Sequence, residues 1–235
     1  MSLKIVPILC NAGIMDNYSY LLTDTETKVS AIVDAAEETP IVDYCSAHNL
    51  VPEYILTTHH HKDHTNANLA LKKRYNLKIA GSEIEKEIID GLDIALNDGD
   101  TFNLGNIQAK VILTAGHTLG HILWYFPTEK VLFTGDMLFN MTIGGLFEGT
   151  PQQMWQSIQK IKMLPDDVKF YSGHEYSRAS INYLKALASD NPYAAEYLAF
   201  LQNTNPPVGN SLGLEKKCNP YFTMSSENDF IRQMS

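Results

Sequence analysis

The chain has 235 residues, 44 % of them apolar and 19 % charged, which fits one large domain or a main domain with a small appendix and excludes a disordered or fibrous chain. Its 27 acidic side chains outnumber 18 basic ones for a net charge of −9, a balance that argues against a nucleic-acid partner. No stretch approaches the roughly 20 apolar residues of a membrane helix, and no membrane partner is expected.

Three cysteines, Cys10, Cys45 and Cys218, are odd in number, widely spaced and without a CxxC, which points to a reducing compartment and by default the cytoplasm. The opening MSLKIVPILCNAG has no basic region and no cleavage pattern, so no leader is expected.

In chain order, residues 19–23 and 28–34 read as strands around a polar turn. Residues 39–49 read as a helix with Pro40 in its first turn. Residues 53–57 form a buried-type strand running into a His-rich loop, followed by a helix over 66–75 and a strand over 77–80. Beyond Gly91 the text is nearly all strand: 101–104, 109–114, 121–126 and 130–134, parted by Gly, Asn or Pro turns. A helix over 152–163 and a last strand over 169–172 follow. From Ser180 the spacing is helical, ending in a Pro/Gly/Asn-rich tail with no strand pattern. Helices and strands mixed in this way imply helices packed outside sheets, an α/β or α+β layered fold, with a boundary near residue 175.

The strongest chemical signal is Thr58-His59-His60-His61-Lys62-Asp63-His64, directly after an apolar strand. His59, His61, Asp63 and His64 cannot all face one ion from regular structure, but in a tight loop they fan out towards two. Imidazole and carboxylate suit zinc and similar divalent ions. Three further candidates, His117, Asp136 and His174, each follow a strand and a glycine that lets the backbone turn and present the side chain at a sheet edge. Five His and two Asp are enough for two ions that share a carboxylate. His48, at a helix end, and His60, which points away from its neighbours in an extended loop, are read as non-ligands. His121 is read as a supporting residue behind the ligands.

This order of His-x-His-x-Asp-His, lone His, Gly-Asp and Gly-His resembles the metallo-β-lactamase superfamily. Within it, THHHKDHTNAN, AGHTLGHI, TGDMLF, FEGT, SGHEYS and the late Asn219-Pro220-Tyr221 resemble glyoxalase II (hydroxyacylglutathione hydrolase). The resemblance implies an α+β fold, an αβ/βα sandwich over residues 1–174 carrying the metals at one edge, with a small C-terminal helical substrate-binding domain over 175–235. It implies His59, His61 and His117 on one metal, Asp63, His64 and His174 on the other, and Asp136 bridging, with Asp63 and Asp136 counted as catalytic. It also implies a small-molecule substrate, S-D-lactoylglutathione in the methylglyoxal detoxification route.

The chemistry of the residues agrees. Two divalent ions, zinc first, with iron and manganese also accepting this set, generate a nucleophile from water without serine or cysteine. A thioester suits such a site because thiols, with a pKa near 8.5, leave without a strong acid.

The chain departs from the pattern at the substrate end. Gly145 stands where the family has Lys or Arg, Phe147 where Tyr is common, and Ser180 where Asn is usual. The stretch Phe222 to Phe230 has no base before Arg232, while Tyr176 remains as a contact to the thiol carrier. The carrier is therefore expected to be a thiol other than glutathione. Alternative readings are a lactonase, a β-lactamase, a mononuclear-iron persulfide dioxygenase of the same fold, or a binding module with a vestigial site. A vestigial site loses ligands, and none is missing here.

Overall fold

A computed structural model describes residues 2–234. Strands β1 (Leu3–Cys10), β2 (Asn17–Asp24), β3 (Ser30–Val33), β4 (Tyr54–Leu56), β5 (Lys78–Ser82) and β6 (Ile94–Leu96) form one six-stranded sheet in sequence order. The first three are antiparallel, and β3 to β6 run parallel. Strands β7 (Thr101–Leu104), β8 (Ile107–Leu113), β9 (Ile122–Phe126) and β10 (Val131–Gly135) make an antiparallel run. After a short hairpin, β11 (Leu138–Phe139) and β12 (Thr142–Ile143), the chain adds β13 (Lys169–Ser172) parallel to β10, and β14 (Asn210–Ser211) closes this second sheet.

The central strands are covered on both faces, which is why β3 and β10 are buried throughout, whereas β7 and β8 at the far edge of the second sheet alternate buried and exposed residues. The side-chain period of two sorts them. Tyr20, Leu22, Ala31, Val33, Leu56 and Ala80 point inward and meet Phe102, Val111, Ile122, Trp124, Phe126 and Phe133 of the other sheet. The alternating residues Leu21, Ile32, Ile55 and Ile79 face outward against Ile41 and Cys45 of α1 (Glu38–Ala47) and Leu71 of α3 (Asn68–Tyr75). The helix expected over 66–75 is α3, which begins two residues later at Asn68, and a single helical turn, α2 (Lys62–Thr65), precedes it within the His-rich stretch. On the far side Leu123, Leu132 and Phe170 meet Met154, Ile158 and Ile161 of α4 (Pro151–Lys162). Thr150 and Gln153 cap that helix reciprocally, behind Pro151 in its first turn.

The last sixty residues divide their packing. A helical pair, α5 (Ile181–Leu187) and α6 (Pro192–Asn203), buries Leu184, Ala194 and Tyr197 against Met141, Leu214 and Cys218. The helices α7 (Leu212–Cys218), α8 (Pro220–Thr223) and α9 (Glu227–Met234) send Leu212, Phe222 and Phe230 into the core beneath α4. The two groups are joined by a buried carboxylate. Glu215, wholly inaccessible, accepts from the Met141 amide at 3.3 Å, from Asn219 Nδ2 at 2.8 Å and from the Tyr197 hydroxyl.

Replacing Glu215 by Leu leaves the buried Met141 amide without a partner, at about 1–3 kcal/mol, while the Tyr197 hydroxyl keeps Asn140 Oδ1 at 3.1 Å and Asn219 Nδ2 keeps the Thr142 carbonyl at 3.3 Å. We expect the chain to remain folded but to lose about 1–3 kcal/mol in urea unfolding. An unchanged midpoint would show that the helices are held by apolar packing alone.

Candidate metal centre

The seven ligand candidates converge at one edge because of strand direction. Parallel β3 and β4 bring Asp34 and the His59 loop to neighbouring carboxyl ends, and parallel β10 and β13 do the same for Asp136 and His174. His117 comes from the loop between β8 and β9. His59, His61 and His117 form one cluster of ligand atoms, and Asp63, His64, Asp136 and His174 form another, with the atoms of each within 4.8 Å of one another. Asp136 joins them: its Oδ1 lies 3.2 Å from His64 Nε2, and its Oδ2 lies 3.5 Å from His117 Nε2 and 3.4 Å from His174 Nε2. Across the first cluster His61 Nδ1 lies 3.0 Å from His117 Nε2. Gly173 permits this crowding, since a Cβ there would sit 2.5 Å from both Asp136 Oδ1 and His64 Cε1.

Four of the candidate histidines are held from behind. His59 Nδ1 meets the Thr58 hydroxyl at 3.0 Å, His64 Nδ1 meets Asp34 Oδ2 at 3.0 Å, His117 Nδ1 meets the Gly145 carbonyl at 2.8 Å, and His174 Nδ1 meets the Met15 carbonyl at 3.0 Å. These contacts fix ring orientation and leave Nε2 for a cation, the usual arrangement behind metal-bound histidine. Asp34 supports rather than ligates, because its oxygens also accept from the Thr58 amide (2.8 Å) and hydroxyl (2.7 Å). Asn17 Nδ2 donates to Asp63 Oδ2 at 3.1 Å and sits 3.3 Å from His174 Nε2. His121 Nε2 accepts from the Asp136 amide at 3.2 Å, behind the ligands.

The residues fit divalent ions. His59 Nε2, His64 Nε2 and Asp136 Oδ1 are buried polar atoms with no hydrogen-bond partner, all facing the same place. Buried polar atoms are seldom left so, and cations held by the two clusters would satisfy them.

Charge divides the two clusters. Burial, then the neighbouring His64, holds His59 well below the ordinary imidazole range, and burial likewise lowers His61 and His117. Burial also works to lower His64 and His174, but the adjacent carboxylates outweigh it; His64 is raised well above its ordinary value and His174 to about 9. Against the upward push of burial, His64 holds Asp136 well below the carboxylate range, and His174 does the same for Asp63.

The centre opens into a cavity of about 280 Å³ whose walls are Met15, Phe139, Phe147 and Tyr176, with Gly145 at the rim. Phe147 stands edge-on to His61 and His117 and is 72 % exposed, while Tyr176 stacks on His174. Ser180 is not part of this lining. His48 contacts only its own helix, and His60 faces away from the centre towards Glu85 and Glu148. Asn17 and Asp34 went unrecognised in the sequence. Asp34 follows the last residue of β3 with a left-handed φ of 53°, a conformation seen only in the structure, and neither residue carried a signal of its contacts in the sequence.

A four-layer sandwich with a His/Asp centre on one edge defines a metallo-β-lactamase-fold metallohydrolase, and the family model of the metallo-beta-lactamase superfamily matches residues 14–174. The chain is 37 % identical over 223 residues to a hydroxyacylglutathione hydrolase of Pelagibacter ubique, covering 93 % of each chain. It is 41 % identical over 211 residues to one of Rhizobium johnstonii, covering 88 % of this chain and 82 % of the relative. The crystal structure of ETHE1 from Myxococcus xanthus shares the fold, with a TM-score of 0.76 at 22 % identity over 98 % of this chain and 89 % of that one. The chain belongs to the hydroxyacylglutathione hydrolase family, the glyoxalase II branch of this superfamily.

Metal binding removes protons from ligands that hold them. Since His174 is protonated below about 9 and His64 likewise at neutral pH, loading the Asp63/His64/His174 cluster at pH 7 should release protons. Loading the neutral His59/His61/His117 cluster should release none. Affinity of the former should therefore climb about tenfold per pH unit per displaced proton up to about pH 9, and that of the latter should stay flat. Calorimetric titration of metal-free protein in buffers of different ionisation heat checks this, and equal proton release from both clusters would contradict it.

Proposed function

We propose that the chain is a dinuclear-metal thioesterase that hydrolyses S-(2-hydroxyacyl) thiols to a 2-hydroxy acid and a free thiol, as in methylglyoxal detoxification. The observation that carries this reading is Asp136, placed within ligand reach of both clusters. His59, His61 and His117 would hold one ion, Asp63, His64 and His174 the other, and Asp136 both, with zinc first and iron or manganese also suited. Such ions supply Lewis acidity that ionises water near neutral pH and polarises a carbonyl. The relatives' hydroxyacylglutathione hydrolase identity over most of the chain favours a thioester over the lactone, lactam and persulfide readings.

The chain's own residues do the rest. The aromatic and thioether walls exclude water around the acyl group. Tyr176, its hydroxyl pushed up to about 12 by burial and then by Asp136 and Asp63, stays protonated and donates a hydrogen bond at the cavity mouth. Water oxygen adds to the acyl carbon, with its proton passing to solvent and the carbonyl π pair moving onto oxygen. That pair then re-forms the carbonyl as the C–S bond breaks, and the thiolate leaves with the C–S electron pair and takes a proton from solvent. We assign residues 1–174 to catalysis and 175–235 to covering the substrate. Three buried, unpaired cysteines support a cytoplasmic setting, and no described helix is long and apolar enough to cross a membrane.

Protein loaded with metal should carry two ions per chain by elemental analysis. Asp136→Ala should abolish turnover and lower that count more than His60→Ala does. A greater loss in His60→Ala would overturn the ligand assignment.

The carrier is the second part of the proposal. Among the described residues no Lys or Arg lines the metal cavity, and the adjoining cleft sets the single cation Arg178 beside Asp16 and Glu175. A carrier thiol bearing two carboxylates finds little to answer them. Two missing charged hydrogen bonds at about 1.5–3 kcal/mol each lower kcat/KM by roughly 10² to 10⁴. We therefore expect a lactoyl thioester of a neutral or cationic thiol to outpace S-D-lactoylglutathione under the same conditions. A glutathione kcat/KM above about 10⁵ M⁻¹s⁻¹ and no lower than the other would show that Arg178 or another base serves, and would leave the thioesterase reading intact.

A further inference from the structure

His60 lies between two proposed ligands yet belongs to neither cluster. Its ring is only 16 % exposed, and its two nitrogens face two different carboxylates: Nδ1 lies 3.1 Å from Glu85 Oε1 and Nε2 lies 3.3 Å from Glu148 Oε1. Each carboxylate reaches on to the loop that carries His117. Glu85, 2 % exposed, accepts from the Thr118 hydroxyl at 2.5 Å, and Glu148 Oε2 accepts from the Leu119 amide at 2.9 Å. Gly120 leaves the space for this, since a Cβ there would sit 2.4 Å from Glu85 Cγ.

Together His60, Glu85 and Glu148 could be taken for a third metal site. One ligand atom from each lies within 4.8 Å of the others, but the two carboxylates stand at opposite ring nitrogens and both are already engaged by the His117 loop, Glu85 by the Thr118 hydroxyl and Glu148 by the Leu119 amide. What the three residues do is tie the His59–His61 loop to the Thr118–Leu119 segment, one residue from His61 on one side and one from His117 on the other. The ligand atoms of those two histidines lie 3.0 Å apart, and that separation depends on how the two loops are set. The other cluster has its own braces, Asn17 on Asp63 and Asp34 on His64.

We infer that His60, with Glu85 and Glu148, is a positioning residue that sets the spacing of His61 and His117 and so governs one metal position independently of the other. The inference rests on the dinuclear reading above, and its test separates the two. Metal-free wild type, His60→Phe, Glu85→Gln and Thr118→Val are titrated with zinc against a chromophoric chelator, and the affinities of the two steps are read separately. Wild type should bind two ions. In the variants one step should weaken about 10–100-fold, the range for partners behind a ligand, while the other stays unchanged and the metal-free melting temperature of Thr118→Val holds. Thr118→Val and Glu85→Gln keep the side-chain volume, so they serve if His60→Phe does not fold. Two ions bound with both steps weakened equally, or with neither weakened, overturns the positioning role alone. Fewer than two ions on wild type overturns it together with the dinuclear reading.

Discussion

The organisation of this molecule depends on one carboxylate kept ionised in a nearly dry place. Asp136 is 7 % exposed and surrounded by imidazoles, and a charge so placed is tolerable only with compensating charge close by. In the metal-free chain His64 and His174 provide it by retaining protons. Two cations do so more fully, which makes the centre a strong competitor for divalent ions. The remaining requirement is that ligands arriving from distant parts of the chain be rigid, and the braces behind them meet it.

The sandwich supplies that rigidity through its strand directions. A purely antiparallel sheet alternates carboxyl and amino ends along each edge, so neighbouring strands cannot both present carboxyl ends there. Here the pairs β3–β4 and β10–β13 are parallel, and each needs a helical crossover, α1 for the first and α4 for the second. Those helices cover the outer faces, which in turn lets the strands be apolar on both sides. The site and the four-layer build are thus consequences of the same connections.

How much of this was legible in the sequence follows from how local each feature is. The ligand loop was legible because His59 to His64 lie within one turn of chain, and His117, Asp136 and His174 each stand beside a glycine after an apolar run. Asn17 and Asp34 act on partners 46 and 24–30 residues away, and no local pattern announces such a contact. β1 is an edge strand that contains Pro7, which an edge position tolerates and a central one does not, so its short apolar run alone does not announce a strand. β14 is two residues long and exists only because β13 offers a free edge. In the tail, Phe222 and Phe230 are isolated apolar residues in polar text, and their burial under α4 is decided by tertiary packing rather than by periodicity.

The cavity rim explains how recognition can change while the chemistry stays. Two of its residues, Met15 and Gly145, hold ligand histidines through backbone carbonyls, at 3.0 Å to His174 and 2.8 Å to His117. A carbonyl is present whatever the side chain, so position 145 can exchange a basic side chain for hydrogen without disturbing the ligand behind it. Phe147 and Tyr176 are different, because their rings pack directly on the ligands and a change there reaches the metals as well as the substrate. Variation at Gly145 and in the outer cleft around Arg178 therefore leaves the backbone support of the histidines in place. The aromatic faces over the histidines are constrained by the reaction itself.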